Sequence, residues 1–386
     1  MKFLSKILIF TAIFFVLLAY TPATPAHAIE DPLARSNNKF GIHILFPSEL
    51  QDAARLLNSS GGDWGYVTIP IQSGDRDLNK WQQFFDDCTR LHLIPILRLA
   101  TEGDYFNTAV WRRPTPADVL DFANFLDSLD WPTKNRYVII FNEVNRGDEW
   151  GGAADPADYA QILSYAVTIF KSKSDDFFII ASGMDNGAPN QGAAYINQYT
   201  FFSQMNFSYP NIFSQIDGIA SHSYPNPGFI QSPDSTTNKS VHSFLYEKEL
   251  LDTLAKKSLP VFITETGWDQ DVLGNDTVAE YFKSAYESAW NNTSIVAITP
   301  FLLRASAGPF EKFSFLDTNG EETKLFKTIQ SMKKIKGNPT QSTKVLGTEI
   351  AMEPISIKAF PKPTPKPTRY TPGDILRSTV KWILKL

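Results

Sequence analysis

From Phe40 onward, short apolar runs alternate with stretches of helical periodicity. The strand-like runs fall at 40–45, 65–71, 94–99, 137–143, 177–183, 216–223, 261–267 and 295–303. Helical patterns lie near 48–58, 78–91, 116–130, 156–172, 192–206, 242–257, 277–290 and 322–335. Some carry start signals, such as Ser48 with Glu49 in the first turn and Pro116 at a first helical position. The runs are β-branched and aromatic with little polar alternation, the pattern of strands covered on both faces. Eight strand-then-helix units within about 300 residues predict an α/β fold of the (β/α)8 barrel type. A doubly wound open sheet shares the local pattern. It would need a Gly-rich turn after the first strand, where Ile44-Leu45-Phe46-Pro47 stands instead.

The pattern breaks at both ends. Lys2 and Lys6, the apolar run Ile7 to Tyr20 and the small-x-small Ala26-His27-Ala28 read as a signal peptide over 1–28, with mature protein beginning near Ile29 and secreted or held at the cell surface. An uncleaved anchor is the rival, but the run of 14 residues falls short of the roughly 20 needed to span a bilayer. The barrel is expected over 29–337 and a Pro-rich linker over 338–373, marked by Pro361-Lys362-Pro363-Thr364-Pro365-Lys366-Pro367. In the last segment, 374–386, Leu376, Val380 and Ile383 share a helical face beside a basic stripe of Arg377, Lys381 and Lys385. It reads either as a helix that associates with a surface or as a tail.

Composition narrows the function. The 386 residues are 20% charged and 43% hydrophobic, enough for a large core. Loss of residues 1–28 would take the net charge from −5 to −7, so a polyanion-binding role is excluded for want of a basic face, and no nucleic-acid partner is expected. The single cysteine, Cys88, can form no internal disulfide. His43, His92, His222 and His242 lack metal-ligand spacing, so neither metal nor cofactor is expected, and the chain is expected to act as a monomer.

Two carboxylates stand out. Glu143 ends Val138-Ile139-Ile140-Phe141-Asn142-Glu143, and Glu265 ends Val261-Phe262-Ile263-Thr264-Glu265. A charge that caps a buried strand needs partners or a shifted pKa, so both are site candidates. In a barrel the C-terminal strand ends face one mouth, and these residues would end strands four and seven on opposite sides of it. Two carboxyls across a cleft suit glycoside hydrolysis, in which one protonates the leaving oxygen and the other attacks the anomeric carbon or activates water.

Asn142-Glu143 on strand four and Glu265 on strand seven resemble the signature of the clan A retaining glycoside hydrolases, which include the cellulase-like family 5, with families 17, 53 and 39 as neighbours. The resemblance covers roughly residues 38–336. It implies Glu143 as acid/base, Glu265 as nucleophile and Asn142 as the holder of a sugar 2-hydroxyl. Ala220-Ser221-His222-Ser223-Tyr224-Pro225 adds the histidine and tyrosine often found on strand six. Tyr224 would then bond the nucleophile, and His222 the substrate or the acid/base, unless His222 is simply a barrel histidine. The chain departs from family 5 in having Val144 after Glu143 and Phe301-Leu302-Leu303-Arg304 where a tryptophan often ends strand eight. Glu265-Thr266-Gly267-Trp268 is closer to families 17 and 53, although Asp269-Gln270 follows where family 17 tends to have Pro-Ser.

Three further residues have paired readings. Arg98, at the end of strand three, would hold a catalytic carboxylate ionised or make a structural ion pair. Trp268 and Trp150 would be sugar platforms or loop packing. An acid role for Glu143 further implies a raised pKa. The function expected is a secreted retaining β-glycosidase on a carbohydrate substrate; the alternatives are a non-catalytic carbohydrate-binding barrel and a transglycosylase of surface glycans.

Overall fold

The computed structural model describes residues 29–102, 110–305 and 308–342. The expected signal peptide, nearly all of the Pro-rich segment and the basic segment at 374–386 lie outside the described residues. Eight parallel strands pair in sequence order: β1 (Gly41–His43), β2 (Gly65–Gln72), β3 (Leu93–Ala100), β4 (Arg136–Ile140), β5 (Phe177–Ala181), β6 (Gly218–His222), β7 (Val261–Glu265) and β8 (Ile295–Ile298). The sheet closes on itself, because Phe40 bridges Ile298 in parallel, Ile298 N–H donates to the Lys39 carbonyl and His43 N–H to that of Pro300. This is the (β/α)8 barrel.

Alternate strand residues build two cores, as the period-two geometry of a strand requires. Tyr66, Ile96, Tyr137, Ile139, Phe178, Ile180, Ala220 and Phe262 fill the barrel interior. Val67, Ile69, Leu97, Val138, Ile140, Ile179 and Ile263 face outward onto the helices. Those helices have the caps their sequences encode. Asp77 accepts from Asn79 and Lys80 N–H at the start of Leu78–Leu91, Thr115 and Asp118 form a capping box ahead of Pro116–Asp127, and Asp155 caps Pro156–Lys173.

Two of the departures from the pattern have a clear cause. The helix expected at 192–206 runs Gln198–Ser208, because Asn197 caps it through Tyr199 N–H, with Asn190 fixing the approach by accepting from Asn197 N–H. Residues 338–342, placed by composition in the linker, hydrogen-bond to the barrel instead: Asn338 N–H to Ser36, Lys134 N–H to Thr340 and Ser342 N–H to Pro132 carbonyls. Backbone pairing there needs no apolar periodicity, so composition alone hides it.

Candidate active site

Strand ends and one bulge bring the polar groups together. Between β6 and β7 the register slips, so that Ser221 lies opposite Ile263 but His222 opposite Glu265. Strict alternation would leave Glu265 on the helix-facing side with Ile263; the irregularity re-aims it into the mouth, as bulges near functional sites do. On β4 the chain turns sharply instead, with Phe141 at φ 65° and Glu143 at φ 38°. Left-handed backbone at two non-glycine residues costs energy and clusters where side-chain direction matters. Glu143 N–H donates to the Gly183 carbonyl, tying the ends of β4 and β5 together.

The two carboxylates and the His222 ring each present an atom such that all three lie within 4.8 Å of one another. Arg98 Nη1 donates to Glu265 Oε1 at 3.1 Å, and the Tyr224 hydroxyl donates to Oε2 at 3.1 Å. Burial and the neighbouring carboxylates push the Tyr224 hydroxyl well above its usual range, so it stays a donor. His222 Nδ1 lies 3.0 Å from Glu143 Oε1 and 3.8 Å from Glu265 Oε2. Arg146 Nη1 reaches Glu143 Oε2 at 3.5 Å, while its Nε and Nη2 grip Asp148.

Proton placement follows from these neighbours. Burial would lower the His222 pKa, but Glu265 and Glu143 raise it more. For Glu143 burial raises the pKa, and His222, Arg146 and Arg98 pull it down further than that. The expected raised pKa of an isolated Glu143 acid is therefore not what this arrangement gives: the resting proton lies on the imidazole side of a hydrogen-bonded pair. His43, fully buried 3.8 Å from Glu265 Oε1, has a pKa held well below the usual value by burial, Arg98 and His222, and so brings no competing charge.

A cleft of about 330 Å³ opens above the pair. Asn142 lines it, and its buried Oδ1 has no partner among the described residues. His222 does not line the cleft; it touches Glu143, not the space where substrate would lie. The expected platforms are elsewhere. Trp150 is fully buried, its Nε1 donating to Asp158 and its ring packed edge-on to Phe141 and Tyr159. Trp268 is fully buried too, donating to the Gln231 carbonyl and packing on Phe282 and Trp290. Once the chain leaves the strand, alternation no longer tells which way an indole points. The aromatic walls are Trp111, Phe229, Phe301, Phe310 and Phe313. Sequence reasoning also passed over Arg146, Glu149 and Gly183. A Cβ on Gly183 would lie 2.3 Å from His222 Cδ2, so only glycine lets that ring lie against β5.

Glu143, His222 and Glu265 are also donor types that could hold a metal ion. The Arg98 guanidinium bound to Glu265 and Arg146 beside Glu143 put two fixed cations on the same carboxylates, and a divalent ion would have to compete with both.

No family model matches the sequence, and no curated protein matches it significantly. Solved structures do. A family 39 glycoside hydrolase from the gut symbiont Bacteroides cellulosilyticus WH2 superposes with a TM-score of 0.54 at 17% identity over 79% of this chain and 65% of that one. GH5_18 from Bifidobacterium longum subsp. longum ATCC 55813 gives 0.55 at 15% identity, covering 76% and 78%. A monomeric β-xylosidase from Caulobacter crescentus CB15 gives 0.51 at 14% identity, covering 77% and 69%. This chain thus spans just under two thirds of the family 39 structure. The neighbours are clan A glycoside hydrolases, and what is shared at these identities is the parallel barrel.

Proposed function

We propose that the protein is a retaining β-glycosidase that works by double displacement, with Glu265 as nucleophile and Glu143 as acid/base. The observation that carries this reading is the carboxylate geometry: an oxygen of each glutamate lies within 4.8 Å of one on the other, a close approach in keeping with the roughly 5–5.5 Å between carboxyl groups of retaining sites. Their partners divide the labour. Glu265 accepts from Arg98 and Tyr224 and presents a positioned carboxylate to the anomeric carbon. As the C1–O bond to the leaving group breaks, the proton held between His222 Nδ1 and Glu143 Oε1 goes to the departing oxygen. Water then attacks the glycosyl ester, Glu143 takes its proton, and Glu265 leaves as carboxylate. Asn142 is assigned to a ring hydroxyl.

The neighbours are named as glycoside hydrolases and a β-xylosidase, which supports the reading. We assign the protein to the secretory route, acting as a monomer, with the basic C-terminal segment as a surface contact. The test is turnover of aryl β-xylosides, β-glucosides, β-mannosides and β-galactosides and of soluble β-glucan, xylan, mannan and galactan, beside the Glu265→Gln variant. Cleavage of at least one by the wild type and loss by about 10⁴-fold or more in the variant is expected. Binding without turnover across the panel would indicate a carbohydrate-binding barrel instead.

A further inference from the structure

The cleft holds a third carboxyl that the double displacement does not use. Glu149 lies in the loop after β4, and the chain on either side of it is fixed. Asp148 is gripped by Arg146, and its carbonyl accepts from Trp111 N–H at 2.8 Å. Trp150 is buried and anchored on Asp158, while Gly151 N–H donates to the Trp111 carbonyl at 2.9 Å. Gly151 sits at φ 66° with no room for a Cβ, which would come 2.7 Å from Arg113 Cβ. The backbone therefore holds the Glu149 side chain at the cleft wall, where it makes no hydrogen bond or ion pair with any of the described residues. A carboxyl placed this rigidly and left without a partner among the described residues is available to a ligand.

Resting on the glycosidase reading of this cleft, we propose that Glu149 is a specificity-determining residue: as a neutral carboxylic acid it donates a hydrogen bond to an acceptor oxygen of the bound sugar. Burial, together with the charges of Glu143 and Asp148, raises its pKa to about 8 against the opposing pull of Arg98 and Arg146. These are the charged groups that act on it among the described residues. Losing the proton would turn the donor into an anion set against Glu143 and Asp148, so the gain in binding is confined to the acid side of that value. Glutamine keeps a donor at every pH, whereas alanine has none.

The test uses the full chain and whichever panel substrate the wild type cleaves. Wild-type KM is expected to be flat to pH 7 and to rise about tenfold by pH 9, one lost hydrogen bond to the ligand. Glu149→Gln should bind like wild type at pH 6 and keep that KM at pH 9. Glu149→Ala should show KM raised about tenfold at pH 6, with kcat within about twofold and no further rise to pH 9. Far-ultraviolet circular dichroism and Tm of the variants identify misfolding, and a well-folded Gln variant suffices to decide the matter. A wild-type enzyme that turns over substrate with a pH-independent KM, or an alanine variant with unchanged KM, overturns the proposal and leaves the glycosidase reading standing. No turnover of any panel substrate by the wild type overturns both.

Discussion

Glu265 accepts from an arginine and a tyrosine, while Glu143 faces a histidine and a second arginine, and the proposed mechanism draws its two different steps from this difference in company. If Glu143 delivers the proton as proposed, Glu143→Gln should cost about 10²–10⁴-fold in kcat with a poor leaving group and far less with a dinitrophenyl glycoside, which departs without help. Equal losses on both, measured as kcat at saturating substrate, would remove the acid role. Arg98 and His222 were legible because each sits on a strand, where alternation fixes the face, and Tyr224 because it follows β6 by only two residues. His43 was legible as a residue but not as a neighbour of Glu265, since its contact is made across the closure between β8 and β1. Trp150, Trp268 and Glu149 lie beyond strand ends, and their directions are set by tertiary packing and by loop hydrogen bonds that no local pattern records.

Strand ends matter more here than strand middles. The slip between Ser221 and His222 opposite Thr264, and the bare Gly183 beside the His222 ring, together place the imidazole against both carboxylates. Gly183→Ala should push that ring away and lower kcat/KM by about 100-fold, the order of loss that follows a misplacement near 1 Å. The loss of Tm should be small, since overpacking one methyl costs about 1–3 kcal/mol. Unchanged kcat/KM would show that His222 can shift freely. Behind β6, Glu247 on the helix Ser243–Ala255 is fully buried with Ser221, Ser243 and Gln198 around it, and burial raises its pKa to about 7. A carboxyl with a raised folded-state pKa contributes most stability below its unfolded value near 4.5 and loses it as pH climbs to about 7. Glu247→Gln should therefore leave Tm almost unchanged at pH 4 and raise it by a few degrees at pH 8. A lower Tm at pH 8 would mean that the ionised carboxylate is well partnered. The eight strands were readable because buried parallel strands are continuous apolar runs, whereas the bulge and the glycine contact depend on neighbours far away in sequence.

At the scale of the whole molecule, barrel closure carries Glu143 and Glu265, 122 residues apart in sequence, to opposite sides of one mouth, and their carboxylate oxygens come within 4.8 Å. Order of strands and closure are enough to predict that the two glutamates face each other. Their separation is not, because it depends on the left-handed turn at Glu143 and the register slip before Glu265. On the proposed mechanism that separation sets the stereochemistry: with no room for an attacking water between the carboxyls, the sugar would pass through an ester of Glu265. Proton NMR of the anomeric region, recorded in the first minutes of hydrolysis before mutarotation, reads the outcome directly. The β anomer of the new reducing end should appear first from a β-linked substrate. A first product in the α configuration would contradict the account, making Glu265 a base that activates water and not the nucleophile.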